Sequence, residues 1–189
     1  AQGGIAPALK RDDPAPVAWT VDAFFEFLRL GFVATHGAAG GPMAPVVREG
    51  TSQIPESATR AMAVYLASLS GNEAGSSSLE ASGKVQPEQP AFIPVATEAA
   101  RLFGSACLSC HHAGERPSVF GERFDLRFSS SLHLEEPDNA VRYVLDGVQN
   151  PASPDVGYMP GFSHSLNDRQ MATVINYMRT ELAGQDEWP

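Results

Sequence analysis

The only two cysteines of the chain stand three positions apart and run directly into a histidine, as Cys107-Leu108-Ser109-Cys110-His111. Two cysteines and five histidines placed at random in 189 residues would give C-x-x-C-H about three times in ten thousand. So few cysteines exclude a disulfide scaffold and every Cys-rich zinc module. The spacing suits covalent haem attachment. On a short helical turn, two thiols three apart can each form a thioether with a haem vinyl group, and the next imidazole is aimed at the iron. Cys107 and Cys110 are then the thioether residues, His111 is an axial ligand, and the cofactor is a single haem c. Two other chemistries use cysteine pairs. A thioredoxin-type pair needs a preceding strand in a βαβ unit, whereas residues 97–103 read as a short helix. A structural zinc site needs two more ligands, for which His112, His133 and His164 are the candidates, but adjacent Cys110 and His111 rarely aim at one metal.

Charge narrows the partners. Thirteen basic against 22 acidic residues leave a net charge of -9, which repels nucleic-acid phosphates and anionic headgroups. The apolar run over residues 23–30 is broken by Glu26 and Arg29 and falls short of the roughly 20 residues that cross a bilayer. No basic stretch leads into an apolar one in the manner of a signal peptide. The chain is therefore expected to be soluble, with no nucleic-acid partner and no transmembrane segment. Its 17 glycines and 15 prolines point to short elements between long connections.

An electron-transfer haem with one histidine takes a second protein ligand, and a methionine thioether favours Fe(II) and raises the potential. Of five methionines, Met62, Met171 and Met178 fall in helical patterns and read as core. Met159 sits instead in Gly157-Tyr158-Met159-Pro160-Gly161-Phe162, a loop stiffened by proline before a helix, and is the expected second axial ligand. That helix is capped by Asn167 or Ser165, carries Met171, Val174, Ile175 and Met178 beside Tyr177, and stops before Gly184. Its apolar stripe needs a partner, and Ala99, Leu102, Phe103 and Ala106 lie on one face of a helix ahead of the cysteines. Phe103 is expected beside Tyr177.

Residues 95–184 resemble the class I c-type cytochromes through the helix, C-x-x-C-H, the M-P-x-F loop and the final helix with its tyrosine. The resemblance implies an all-α fold of short helices around the haem, with first and last helices crossing at right angles. It carries Phe103 and Tyr177 to that crossing and His111 and Met159 to the iron. In the family a proline carbonyl orients the histidine. Pro117 is the nearest match, closer to His111 than is typical.

An internal repeat organises the rest. Residues 22–32 align with residues 138–148 at an offset of 116, each an amphipathic helix closed by glycine, Gly31 or Gly147. Met43 keeps the offset from Met159 within Gly41-Pro42-Met43-Ala44-Pro45, and residues 55–69 parallel 166–182 after a four-residue insertion. The matching haem-attachment motif would fall ahead of residue 1. Residues 1–69 are thus expected to be the back half of a cytochrome-like domain without its own attachment motif, its front lost or left out, or else a degenerate cover for the haem of the second copy. Residues 70–94 read as a flexible linker, 95–184 as a complete mono-haem domain and 185–189 as a tail.

The combined pattern is similar to the three-haem cytochrome subunits of periplasmic molybdenum hydroxylases acting on aldehydes, nicotinate or isoquinoline. The similarity rests on Ala6-Pro7-Ala8-Leu9, Ala15-Pro16-Val17-Ala18-Trp19-Thr20, the stretch from His36 to Val47, Ser129-Ser130-Ser131-Leu132-His133, and the Met159 loop. It implies an electron-transfer subunit, not itself an enzyme, that passes electrons from an iron-sulfur and molybdopterin dehydrogenase toward a quinone or terminal oxidase. The implied location is the periplasm, with any membrane association supplied by a partner or by sequence outside the chain. The family has three C-x-x-C-H motifs and this chain has one. The alternative is a haem enzyme or gas-binding sensor with a labile methionine, against which stands the intact Met-Pro loop. A non-haem interaction module is the third reading. His36, His112, His133 and His164 read as non-ligands, and Tyr158, Phe162 and Phe120 as walls of the haem crevice.

Overall fold

A computed structural model describes residues 5–7, 9, 16–69, 97–111, 124–149, 152 and 157–189. The expected linker, His112, Pro117 and Phe120 lie outside the described residues.

Side-chain caps set the starts of the main helices. Thr20 accepts from the Ala23 amide to open α1 (Val21–Leu30), and Gly31 closes it at φ 73°, the left-handed conformation a glycine adopts without a Cβ penalty. A two-residue antiparallel hairpin follows, β1 (Phe32–Val33) paired with β2 (Gly37–Ala38). Next come α2 (Met43–Val46), a π-turn over Val47–Thr51, and α3 (Glu56–Leu69). Thr97 caps α4 (Glu98–Ala106) as Thr20 caps α1. After the short α5 (Ser130–His133), α6 (Asp138–Asp146) ends at Gly147. Of the two caps open for α7 (Asp168–Tyr177), Asn167 is the one used: its side chain accepts from the Gln170 amide while the Gln170 side chain accepts from the Asn167 amide. The all-α expectation holds over the described residues apart from the β1–β2 hairpin.

Two apolar clusters follow. In one, α4 packs on α7, with Phe103 and Val174 fully enclosed and Met171, Ile175 and Met178 around them. The Phe103 and Tyr177 rings lie 5.6 Å apart, as the spacing predicts, and Ala100, one position on from Ala99, is the buried alanine of α4. In the other cluster α1 lies against α3, joining Phe24 to Ala63 and Ala67. Two buried hydroxyls tie its turns together: Thr51 donates to the Leu28 carbonyl and Thr59 to that of Thr51. Arg29 donates to the carbonyls of Ser52 and Ile54.

The repeat is visible in α1 with Gly31 and α6 with Gly147, both glycines at positive φ. Beyond those glycines the copies diverge. Val148 forms an antiparallel bridge with Met159, whereas β1 pairs with Gly37–Ala38, and Met43 becomes the first residue of α2. Met43 therefore does not repeat the backbone of the Met159 loop. The copies differ again in their last helices. Met171 and Met178 are core, as expected, but Met62, Tyr65 and Leu69 are exposed. α3 turns Thr59, Ala63 and Ala67 toward α1, and no described helix covers its other face.

The segment expected to be a tail joins the core. Trp188 is buried, its indole N–H donates to the Leu134 carbonyl at 3.1 Å, and Arg179 stacks over its ring at 4.2 Å.

Candidate haem-attachment site

Cys107 is the C-cap of α4: its amide and that of Leu108 both donate to the Phe103 carbonyl. The Cys107 carbonyl then accepts from the amides of Cys110 and His111 at 3.1 and 2.8 Å. The motif thus lies on one tight turn continuing the helix, with Cys107 and Cys110 three positions apart on it. Neither cysteine is in a disulfide. Burial, with the neighbouring Cys110 second, pushes the Cys107 thiol up to about 11. A thiol so held is protonated at neutral pH, which opposes the thiolate nucleophile of a redox pair. Among the described residues no three His, Cys, Asp or Glu side chains gather as a metal-holding group.

The His111 imidazole is fixed in one tautomer. Its Nδ1 lies 3.2 Å from the Phe124 carbonyl oxygen, and since a carbonyl only accepts, Nδ1 carries the proton and Nε2 keeps the free lone pair. Burial lowers its pKa, with the Phe124 carbonyl and the Asp125 charge partly opposing, so the ring is neutral at pH 7 and able to ligate. Phe124 thus supplies a backbone carbonyl to the imidazole, while Pro117, the nearest match to the family's proline, lies outside the described residues. The position of its carbonyl is held by the next residue: Asp125 accepts from the Arg127 amide and guanidinium and opens the 3-10 turn Leu126–Phe128.

Met159 is positioned by its own backbone. It exchanges both amide hydrogen bonds with Val148, at 3.0 and 3.1 Å, and the Phe162 amide donates to the Val144 carbonyl. Glycines allow this approach. A Cβ on Gly147 would stand 2.3 Å from the Met159 carbonyl oxygen, and one on Gly161 would stand 2.6 Å from that of Leu145. Cys107, Leu108, Met159, Phe162 and Leu166 all pack against the α4–α7 cluster, so the C-x-x-C-H turn and the methionine loop rest on the same apolar core. Phe162 is half-buried there, as a wall residue should be, but Tyr158 is 57% exposed.

The other histidines fall elsewhere. His36 is buried, stacked 3.8 Å from Trp19 with Nε2 on the Val17 carbonyl and Nδ1 on the Thr35 hydroxyl. His133 Nε2 donates to the Arg127 carbonyl, and His164 is exposed. The residues present fit a haem c: two thiols on one turn, a neutral imidazole with Nε2 free, and a buttressed thioether over apolar side chains.

Residues 94–178 match the family described as cytochrome c oxidase, cbb3-type, subunit III. Over 181 residues, 96% of this chain, the sequence is 40% identical to a nicotinate dehydrogenase subunit of Pseudomonas putida, of which it covers 15%. It is 29% identical over 191 residues to the cytochrome c subunit of the alcohol dehydrogenase (quinone) of Gluconacetobacter polyoxogenes, and 24% identical over 178 residues to the fructose dehydrogenase cytochrome subunit of Gluconobacter japonicus. It covers 38% and 36% of those two. The chain thus spans well under half the length of the relatives it matches.

Proposed function

We propose that residues 94–178 are a c-type cytochrome domain of the class I fold, and that the chain carries electrons through one haem c attached by Cys107 and Cys110 and ligated by His111 and Met159. The observation that carries this reading is the His111 tautomer: the Phe124 carbonyl holds the proton on Nδ1 and leaves Nε2 for the iron. A haem so bound supplies one-electron exchange between Fe(III) and Fe(II). The protein's part is to hold both ligands still through that exchange. The Cys107 turn fixes the proximal side, the Val148 bridge fixes the Met159 backbone, and Phe103, Leu108 and Phe162 keep the surroundings apolar.

The 40% identity to the nicotinate dehydrogenase subunit supports a place in a dehydrogenase of the molybdopterin and iron-sulfur kind, with a quinone or terminal oxidase downstream. Substrate oxidation belongs to the partner and electron passage to this chain. Thioether formation outside the cytoplasmic membrane supports the periplasm. No helix among the described residues is long and apolar enough to cross a membrane. In domain terms we read 95–184 as the haem unit, 1–69 as a partial second copy and 70–94 as the tether between them.

The oxidised protein should show the weak far-red sulfur-to-iron charge-transfer band, and Met159→Ala should lose it while keeping the haem. The reduced wild type should be inert to carbon monoxide and the variant should react. A wild type without the band, or a variant that retains it, removes Met159 as the ligand.

A further inference from the structure

Phe124 faces two ways. Its carbonyl holds the His111 Nδ1 proton, while its ring lies on Gly37 of the N-terminal half: a Cβ there would stand 3.1 Å from both Cε1 and Cζ of Phe124. Gly37 has φ +91°, a conformation that L side chains rarely adopt. The hairpin touches the haem domain a second time through α6. The Tyr143 hydroxyl donates to the Ala38 carbonyl at 2.8 Å, and its ring lies so close over Gly40 that a Cβ would stand 2.4 Å from Cε1. The Tyr143 carbonyl in turn accepts from the Gly147 amide, and Gly147 abuts the Met159 carbonyl. The hairpin itself is firmly seated, because His36, one residue before Gly37, is held between Trp19, Val17 and Thr35.

We propose that the β1–β2 hairpin of the N-terminal half is a positioning element for the haem domain, acting through Gly37 on the Phe124 carbonyl that orients His111 and through Tyr143 on the helix that carries the Met159 loop. The proposal rests on the axial-ligand reading above. The hydrogen bond accepted from Nδ1 raises the basicity of Nε2, which favours Fe(III). Displacing Phe124 lengthens that bond and raises the reduction potential. The N-terminal half is then more than a remnant or a tether: the two copies set one potential together.

The test is the midpoint potential of the haem-loaded chain in three variants. Gly37→Ala, which presses a methyl into the Phe124 ring, should raise the potential with the far-red band retained. Tyr143→Phe, which keeps the ring and removes the hydroxyl with its bonds to the Ala38 and Gly40 backbone, should raise it by less. Thr59→Ala removes a buried hydroxyl of the N-terminal half bonded to Thr51 rather than to the hairpin. It should lower the unfolding midpoint and leave the potential unchanged. A Gly37→Ala protein with the wild-type potential overturns the proposal, and so does a Thr59→Ala shift as large as the hairpin variants give. Should Gly37→Ala fail to fold, an unchanged potential in Tyr143→Phe overturns it alone. A wild type lacking the band is a different result, because it removes the ligand assignment before any variant is compared.

Discussion

Gly147 and Met159 touch backbone to backbone, with room for no side chain at all: the space a Cβ on Gly147 needs lies 2.3 Å from the Met159 carbonyl oxygen. Gly147 also has φ 69° and ψ -170°, a region that only glycine populates freely. Gly147→Ala therefore meets a steric and a conformational penalty together, about 3 kcal/mol or more. The expected outcome is loss of the far-red sulfur-to-iron band and a lower urea midpoint. A variant with both unchanged would contradict the placement of the loop.

Trp188 lies on the core side of the last residues, with its indole N–H on Leu134 and Arg179 over its ring. Trp188→Ala should cost about 3–5 kcal/mol, and Trp188→Phe, which keeps much of the packing and leaves the Leu134 carbonyl its bond from Arg179, about 1 kcal/mol. Urea unfolding followed by circular dichroism reads both. A loss below about 1 kcal/mol for the alanine variant would mean that the segment does not dock in solution.

His36 makes stability depend on pH. Burial against Trp19 lowers its pKa from 6.5 to about 4 despite the opposing Val17 carbonyl. The unfolded chain thus binds a proton at a pH where the folded chain refuses it. Stability from this residue is complete above about 6.5, falls as pH drops through the window down to about 4, and changes no further below it. The loss across the window is about 3 kcal/mol. Comparing urea midpoints at pH 7 and 4.5 should show a steeper fall for the wild type than for His36→Gln. Equal falls would show that His36 is protonated when folded.

The elements legible in the sequence are those whose signal lies in residue type. Thr20, Thr97 and Asn167 are caps by virtue of a side-chain oxygen, Gly31 and Gly147 by lacking a Cβ, and Phe103 and Tyr177 meet because helical spacing puts them on facing stripes. Asn167 wins over Ser165 only because Gln170 reaches back to it, a reciprocal bond that a single position does not announce.

What was not legible depends on partners. Phe124 orients His111 with a backbone carbonyl, a group every residue owns, so no side-chain pattern marks it. Met43 sits in a stretch that echoes the Met159 loop, yet the pairing of β1 with Gly37–Ala38 takes the bonds that Val148 gives to Met159 in the other copy. Trp188 is one aromatic in a polar stretch, without a period to betray its burial. The stripe of Met62, Tyr65 and Leu69 is readable as helical, but whether it is covered is a property of its neighbours and not of its spacing.

The central claim is that this chain holds one haem by covalent bonds from Cys107 and Cys110. The mass of the denatured, acid-acetone-extracted polypeptide tests it most directly. The account predicts the chain mass plus one haem, and the bare chain mass for a Cys107→Ser/Cys110→Ser double variant. A wild-type polypeptide that leaves extraction at the bare chain mass would contradict it.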